Sequence, residues 1–268
     1  MVLSKIGNRL RAGNLKSSER GQAGPRVLIL TPVKDAERAL PVYWKLLYRL
    51  TYPLQLISLG FLESDSSDRS LSLLRAKMPA LQRDFRRALM WKRDFGFEIP
   101  AHLDRHSESI QIERRRVLAR SRNHLLFHAL DNEEWVLWMD VDLLDYPPDI
   151  IETLLATGKE IVQPHCVLKY GGPTYDQNAW TEQGRFHMDS MRDRDFVRLD
   201  AVGGTVLLVK ADLHRDGLIF PPFLYGLANE RIRAGRGEVE TEGLAMLAHD
   251  MGLECWGLPN VEILHQPF

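Results

Sequence analysis

Two aspartates one residue apart, Asp140 and Asp142, have the spacing that most directly suggests chemistry in this sequence. They follow the apolar run Trp135-Val-Leu-Trp-Met139, which predicts a buried strand. Side chains at positions i and i+2 of a strand point to the same side, where two carboxylates repel each other unless a cation or water separates them. The pattern predicts a divalent-cation site that also binds substrate phosphates. A strand that runs into an acidic turn is the alternative.

The overall composition excludes several other classes of function. The 268 residues are 44% hydrophobic and 26% charged with a formal net charge of -1, which gives no electrostatic case for binding nucleic acid. Cys166 and Cys255 are too few for a disulfide framework. No run approaches the ~18 apolar residues of a membrane span, so we expect no transmembrane helix. The length suits one α/β domain.

The first 25 residues are polar and basic and lack the apolar core of a secretory signal. We expect a frayed segment; a weak interfacial helix in peripheral contact with anionic lipid is the alternative. These features predict a cytoplasmic protein, at most peripheral to the inner face of the membrane.

Strand and helix patterns alternate along the first half of the chain. Residues 26–32 and 54–62 are typical of buried strands, and residues 69–93 predict a helix that Ser66 or Ser67 could cap. This order predicts an α/β fold with a mostly parallel sheet flanked by helices in a single domain. Ligands of such sheets bind beyond the carboxyl ends of the strands. Polar residues 31–35, 63–68 and 140–142 should therefore meet on one edge.

The helix before the Asp140 strand is rich in arginine. Arg114–Arg116 are typical of a solvated face. Helical spacing instead places Arg122 on or beside the buried stripe, with Asn123 next to it. A guanidinium there could pair with Asp140 or bind a diphosphate through two hydrogen bonds.

The second half contains a long polar stretch, residues 169–198, with Tyr175, Asn178 and Trp180. Functional loops have such profiles, and aromatic residues beside amides suit a sugar acceptor. Core packing of Trp180 is the alternative. Residues 200–209 then predict a strand. Its glycines, Gly203 and Gly204, either allow a ligand to approach the backbone or form a bulge.

Two further features lie near the end of the chain. Glu240 and Glu242 lie at the head of a predicted helix, 238–251, whose positive end favours carboxylates. Capping explains one glutamate, and a second beside a sugar site suggests function. His265 follows the terminal strand, and a lone histidine is more often structural than a ligand.

Several sequence blocks resemble those of a known family, the fungal mannan-polymerase α-1,6-mannosyltransferases (glycosyltransferase family sixty-two), which have the GT-A fold. The likeness extends from about Arg26 to His265 and is more specific in the second half. The blocks, in the family's order, are Trp135-Val-Leu-Trp-Met-Asp-Val-Asp142, Asp200-Ala-Val-Gly-Gly204, Lys210-Ala-Asp-Leu-His-Arg-Asp-Gly217, Phe220-Pro-Pro-Phe223, Glu240-Thr-Glu-Gly243, Gly257-Leu-Pro-Asn260 and His265.

The resemblance implies Mn²⁺ or another divalent cation, a nucleotide-sugar donor that is GDP-mannose in the family, and a glycan acceptor. It implies a nucleotide-binding half, 26–145, and an acceptor-binding half, 146–268. An imidazole ligand also suits Mn²⁺ better than Mg²⁺. The implied metal ligands are Asp140, Asp142 and His265. The implied donor-binding residues are Thr31, Pro32, Asp35, Asp65, Arg122, Asn123, Asp140, Gly203 and Gly204, and the implied catalytic residues are Asp200, Glu240 and Glu242.

The residues alone do not separate retention of anomeric configuration, which the family implies, from inversion with a carboxylate base such as Glu242. Two other classes of protein also stay open. A sugar nucleotidyltransferase needs a glycine-rich loop after its first strand, and Thr31–Asp35 has no glycine. A catalytically silent subunit of a glycan-synthesising complex would keep the fold, and an oligomer is compatible with either function.

Overall fold

The structure, a computed structural model, describes residues 24–98, 108–231 and 236–267. The expectation for the N-terminal segment therefore lies almost wholly outside the described residues. Among the helices that are described, none is both long and apolar enough to cross a membrane.

The first half is the alternating unit that the sequence predicts. Four parallel strands lie in the order β3-β2-β1-β4, with helices between them in the chain. These elements are β1 Val27–Val33, α1 Leu40–Arg49, β2 Ile57–Glu63, α2 Ser70–Asp84, β3 Arg87–Lys92, α3 Glu108–Ala129 and β4 Trp135–Met139, with a short 3₁₀ helix at Leu54–Leu56.

The second half extends the same sheet with mixed pairing. The order continues β4-β8-β6-β9-β5; β6 and β9 are parallel, and β4 with β8, β8 with β6, and β9 with both β5 and β7 are antiparallel. These elements are β5 Leu143–Asp145, α4 Ile150–Ala156, β6 Ile161–Val167, β7 Val197–Leu199, β8 Val206–Lys210, α5 Ala211–Arg215, α6 Glu240–Asp250 and β9 Cys255–His265, with a 3₁₀ helix at Met188–Met191.

The core lies on both faces of this sheet, which is why residues 27–30 of β1 are all apolar. Val27 and Ile29 pack on the face covered by α1, α2 and α4, and Leu28 and Leu30 pack on the face covered by α3 and α6. Each fully buried side chain of this kind contributes about 1.5–3 kcal/mol. The α/β prediction with helices on both faces is confirmed.

Three local predictions were wrong. The helix predicted for residues 69–93 ends at Asp84, because Arg87–Lys92 pairs in parallel with β2, a contact that local periodicity does not contain. Residues 200–205 precede the strand predicted for 200–209, which begins at Val206. Ser66 and Ser67 do not cap α2; the carboxylate of Asp68 accepts the Ser70 N–H at 2.9 Å instead.

Candidate metal and donor site

The backbone around Asp140 and Asp142 is fixed by the two strands that flank it. The Asp140 N–H donates to the Thr205 carbonyl at 2.9 Å, continuing the β4–β8 ladder. The Asp142 carbonyl accepts the Gln266 N–H at 3.1 Å. Leu143 of β5 pairs with His265 of β9. This register brings the last strand beside the Asp-Val-Asp turn.

His265 consequently meets the two aspartates. Its Nε2 lies 3.1 Å from Asp142 Oδ1, and its Nδ1–H donates to the Gln266 carbonyl at 2.7 Å. One ligand atom from each of Asp140, Asp142 and His265 lies within 4.8 Å of the others, a group that could hold a metal ion. The structure thus brings together the three residues implied as metal ligands.

The charges of this cluster fit a cation. Burial raises the pKa of Asp140 to about 7; Arg122 opposes that rise and the charge of Asp142 adds to it. Burial lowers the pKa of His265, but the hydrogen bond and charge of Asp142 outweigh it and raise that pKa to about 9. The imidazolium therefore supplies the positive charge beside the carboxylates. A divalent ion would replace that proton, as binding to a histidine ligand requires.

Arg122 lies beneath the cluster. It is 1% exposed and contacts the rings of Trp138 and Phe220. Its Nη2 lies 3.3 Å from Asp140 Oδ1, and its Nε donates to Glu240 Oε1 at 2.8 Å. The predicted pairing with Asp140 is confirmed, whereas contact with a diphosphate stays a prediction because the guanidinium does not reach solvent.

The two glycines are required by close contacts within the protein. A Cβ at Gly204 would lie 2.5 Å from Arg122 Nη2, and one at Gly203 would lie 1.9 Å from Asp176 Oδ2. Both values are far below van der Waals contact. Arg122 and Asp176 thus occupy the space that these glycines leave.

A cleft of about 540 Å³ opens beside Asp142. We call it the β1 cleft because the loop that follows β1 forms most of its wall. Asp35 has a left-handed backbone (φ 47°), and its Oδ1 accepts the Ser67 N–H at 2.7 Å. The lining residues are Lys34, Asp35, Ala36, Glu37, Arg38, Ala39, Asp68, Val141, Asp142, Gln266 and Pro267.

Of the nine residues implied to bind the donor, Asp35 alone lines this cleft, and Thr31, Pro32, Asp65 and Asn123 are among the eight that do not. Thr31 is buried and its hydroxyl is 2.6 Å from that of Tyr43, and Pro32 lies beside it in β1. The Asp65 carboxylate accepts the N–H groups of residues 95 and 96, each at 2.9 Å. Asn123 bonds the backbone of Phe220 in both directions, at 2.7 and 2.9 Å. In this structure they support neighbouring backbone and side chains.

The three implied catalytic carboxylates are all partnered. Glu240, whose backbone is left-handed (φ 58°), binds Arg122 and accepts the Thr241 hydroxyl at 2.8 Å. Glu242 accepts the Trp180 indole N–H at 2.6 Å and forms an ion pair with Arg115. Asp200 accepts Arg231 Nη1 at 2.9 Å and the Glu182 N–H at 2.8 Å.

Sequence reasoning missed three residues here. Arg115 was predicted on a solvated face, but it bonds Glu242 and the Val239 carbonyl, so that prediction was wrong. Asp176 accepts the Thr205 hydroxyl at 2.8 Å and adds to the negative field at Asp140. Glu238 lies buried near Glu242. Their partners are distant in sequence, so no local pattern marks them.

Solved structures with the same architecture define the fold. The fold resembles that of a mannosyltransferase from Pyrobaculum calidifontis in complex with GDP-Man and Mn²⁺, with a TM-score of 0.54 at 17% identity, over 90% of this chain and 56% of that one. It also resembles GalNAc-T7 with UDP, GalNAc and Mn²⁺, with a TM-score of 0.57 at 12% identity, over 90% of this chain and 44% of that one. Identities this low establish the fold alone, the GT-A glycosyltransferase fold.

The chain belongs to the Anp1 family, whose sequence model matches residues 10–191 and 182–224. It is 33% identical over 293 residues to the mannan polymerase complex subunit mnn9 of Schizosaccharomyces pombe, covering 93% of this chain and 82% of that protein. It is 31% identical over 286 residues to subunit MNN9 of Candida albicans, covering 89% and 74%.

The same level of identity, 31% over 287 residues, relates the chain to the mannan polymerase II complex ANP1 subunit of Saccharomyces cerevisiae. That alignment covers 91% of this chain but 55% of the relative, so the chain spans about half of that protein. The resemblance to fungal mannan-polymerase proteins is thereby confirmed at the level of the family.

Proposed function

We propose that this protein is a metal-dependent glycosyltransferase that moves mannose from GDP-mannose onto a glycan acceptor with retention of anomeric configuration. The observation that carries the proposal is the meeting of Asp140, Asp142 and His265, of which Asp142 also lines the β1 cleft. Two carboxylates and an imidazole form a donor set that suits Mn²⁺. The structural neighbours that bind nucleotides with Mn²⁺ support the same reading.

The residues of the site would have two roles, binding the metal ion and holding its ligands in place. Asp140, Asp142 and His265 would hold the ion, which when bound supplies charge neutralisation for the leaving diphosphate. Arg122 fixes Asp140, and Glu240 fixes Arg122 through a hydrogen bond of 2.8 Å. These contacts preorganise the ligand set before the donor binds.

The β1 cleft would receive the nucleoside. It is lined by the charged side chains of Lys34, Asp35 and Arg38, which can bond a ribose hydroxyl, a base edge or a phosphate. One oxygen of Asp35 already binds Ser67, which holds the loop in place.

Retention would proceed by front-face attack, with the leaving phosphate accepting the proton of the acceptor hydroxyl. The partners of Glu242 favour this route over inversion. Both oxygens of its carboxylate are already bonded, one to the Trp180 indole N–H and the other to Arg115, whereas a general base must be free to take up the proton that it removes. NMR of the first-formed product anomer distinguishes the two outcomes.

A second candidate is a catalytically silent subunit of a glycan-synthesising complex, which the names of the relatives as complex subunits favour. Such a subunit would bind GDP with Mn²⁺ without turnover. A nucleotidyltransferase is disfavoured because residues 31–35 contain no glycine.

The deciding experiment is hydrolysis of GDP-mannose by the full chain with and without Mn²⁺. We expect turnover that requires the ion and falls at least ~10²-fold in Asp142→Ala, the scale of losing one preorganised charge stabiliser. Asp193→Ala, a change at a side chain that is 77% exposed, serves as the matched control. Turnover that is indifferent to both Mn²⁺ and Asp142 would overturn the proposal, and nucleotide binding without turnover would favour the silent subunit.

A further inference from the structure

A second, smaller cavity lies between the loop that follows β6 and the start of α6. Its volume is about 260 Å³, and its walls include Gln177, Trp180, His187, Glu238 and Glu242. We call it the α6 cavity. Pockets for drug-sized ligands span roughly 300–1,000 Å³. The α6 cavity therefore has room for a single sugar ring rather than for an extended oligosaccharide.

One wall of the cavity is a pair of buried carboxyl groups. Glu238 is 5% exposed and Glu242 is 6% exposed, and the two are hydrogen-bonded to each other. Trp180 Nε1 donates to Glu242 Oε1 at 2.6 Å, and Arg115 pairs with the other oxygen of Glu242. Each oxygen of Glu242 thus already has a donor or a cation beside it, which leaves Glu238 as the member that takes up a proton.

The charged groups around Glu238 come from several elements. Burial raises the pKa of Glu238 to about 7, and the charge of Glu242 adds to the rise. Arg236 in the preceding loop, 3.3 Å away, and Arg115 on α3 oppose it. His187 faces the same cavity from the opposite loop, and Glu240 of α6 lies near Arg115.

This chemistry matches a sugar hydroxyl. A hydroxyl both donates and accepts, and a protonated Glu238 beside the oxygens of Glu242 offers one donor and several acceptors. The side-chain amide of Gln177 adds a donor and an acceptor to the cavity wall. An anionic ligand would instead meet the carboxylate of Glu242, so a neutral polyhydroxylated ring fits better.

Two short connections join the cavity to the metal-ligand cluster. Arg122 bonds both Asp140 and Glu240, and Glu240 lies two residues before Glu242 at the head of α6. The second connection starts at Gln177 in the cavity wall, whose neighbour in sequence is Asp176. The Asp176 carboxylate accepts the Thr205 hydroxyl, and the Thr205 carbonyl accepts the Asp140 N–H. Both walls of the cavity are therefore connected to residues that bond Asp140.

We propose that the α6 cavity binds one sugar ring of the acceptor, a neutral hexose, which would donate hydrogen bonds to Glu242 and exchange hydrogen bonds with Glu238 and Gln177. The inference rests on the proposed glycosyl transfer and names the acceptor subsite. Glu238 is then a binding residue for the acceptor, a role that no motif of the sequence indicates.

The test measures binding of methyl α-D-mannopyranoside to the full chain saturated with GDP and Mn²⁺, by saturation-transfer NMR between pH 6 and 8.5. In Glu238→Ala we expect the dissociation constant to rise about tenfold, the scale of one lost hydrogen bond to a buried group. In the wild type, affinity should fall as pH rises through 7. Glu238→Gln, which keeps a donor but cannot ionise, should bind with little dependence on pH. Glu160→Gln, at an exposed glutamate paired with Lys210, is the matched control.

The possible results are distinguishable. Probe binding that is unchanged in Glu238→Ala, or whose pH dependence survives in Glu238→Gln, overturns the subsite. If Glu238→Ala does not fold, the pH dependence of probe affinity in Glu238→Gln still tests whether Glu238 binds the sugar. A wild type whose melting temperature does not respond to GDP with Mn²⁺ contradicts the donor site and the proposed function, whereas Glu238-dependent probe binding would still support the cavity as a sugar site.

Discussion

His265 Nε2 lies 3.1 Å from Asp142 Oδ1, although Asp142 is in the turn between β4 and β5 and His265 ends β9, much of the second half of the chain away. The antiparallel pairing of β5 with β9 creates this contact, because Leu143 and His265 are partners in that register. The end of β9 therefore completes a ligand set that begins at the end of β4.

The first prediction concerns His265. Replacing it by alanine removes the only nitrogen ligand of the described cluster and leaves two carboxylates. Loss of an outer-shell partner of a metal ligand already costs about 10–100-fold in affinity, so loss of the ligand itself should weaken Mn²⁺ binding at least ~10-fold. Titration followed by electron paramagnetic resonance measures it. His128→Ala, at an exposed histidine on α3, is the control; equal Mn²⁺ affinity in both variants would exclude His265 as a ligand.

The parts of this site that the sequence predicts are those whose contacting residues are close together along the chain. The strand Trp135–Met139 and the aspartates after it are contiguous, and the Arg122–Asp140 pair joins consecutive elements, so short-range patterns suffice. His265 was recognisable through the order of the family's blocks, not through its own surroundings. The same alternation of strands and helices gave the fold class.

Other features depend on contacts that no short stretch contains. The residues of β3 continue the apolar spacing of α2, and only pairing with β2 makes them a strand. Arg115 looks solvated within its own helix, yet its partner Glu242 is at the head of α6. The α6 cavity forms where two distant loops meet, which explains why Glu238 carried no signal in the sequence.

The second prediction concerns the buried ion pairs of Arg122. Arg122→Met keeps most of the side-chain volume but leaves Glu240, 3% exposed, without its cation. Breaking a buried pair by removing one partner costs about 3–5 kcal/mol, so we expect a loss of unfolding free energy of that order. Urea denaturation measures it. Arg185→Met, at an exposed pair with Glu182, should change stability by less than ~1 kcal/mol; similar losses in both variants would contradict the assigned role.

The third prediction concerns Gly204. Gly204→Ala would place a methyl group 2.5 Å from Arg122 Nη2, so the guanidinium must shift away from Asp140. Overpacking of this kind costs about 1–3 kcal/mol. We expect a lower midpoint of denaturation together with weaker Mn²⁺ binding, because Asp140 loses its support. A variant with wild-type stability and wild-type affinity for Mn²⁺ would show that the contact is readily relieved.

The fourth prediction follows from the raised pKa of Glu238, about 7 in the folded protein against 4.5 for the free side chain. The folded state binds this proton more tightly than the unfolded state, so its stabilising contribution is complete below pH 4.5 and is lost as pH rises through 7. Asp140, with a pKa raised to about 7, and His265, with one raised to about 9, act in the same direction. Asp140 and His265 contribute to both proteins alike. The informative quantity is therefore the difference between the wild type and Glu238→Gln in how the melting temperature depends on pH.

Thermal denaturation of both proteins from pH 5 to pH 8.5 provides this difference. The melting temperature of the wild type should fall more steeply with rising pH than that of Glu238→Gln, because the amide cannot become a second negative charge beside Glu242. Glu160→Gln should follow the wild-type curve, since this glutamate is half-exposed and paired with Lys210. Parallel curves for the wild type and Glu238→Gln would mean that Glu238 is ionised in the folded protein from pH 5 to pH 8.5. Glu238 would then have no proton to donate to a sugar hydroxyl, which would contradict the binding role proposed for it in the α6 cavity.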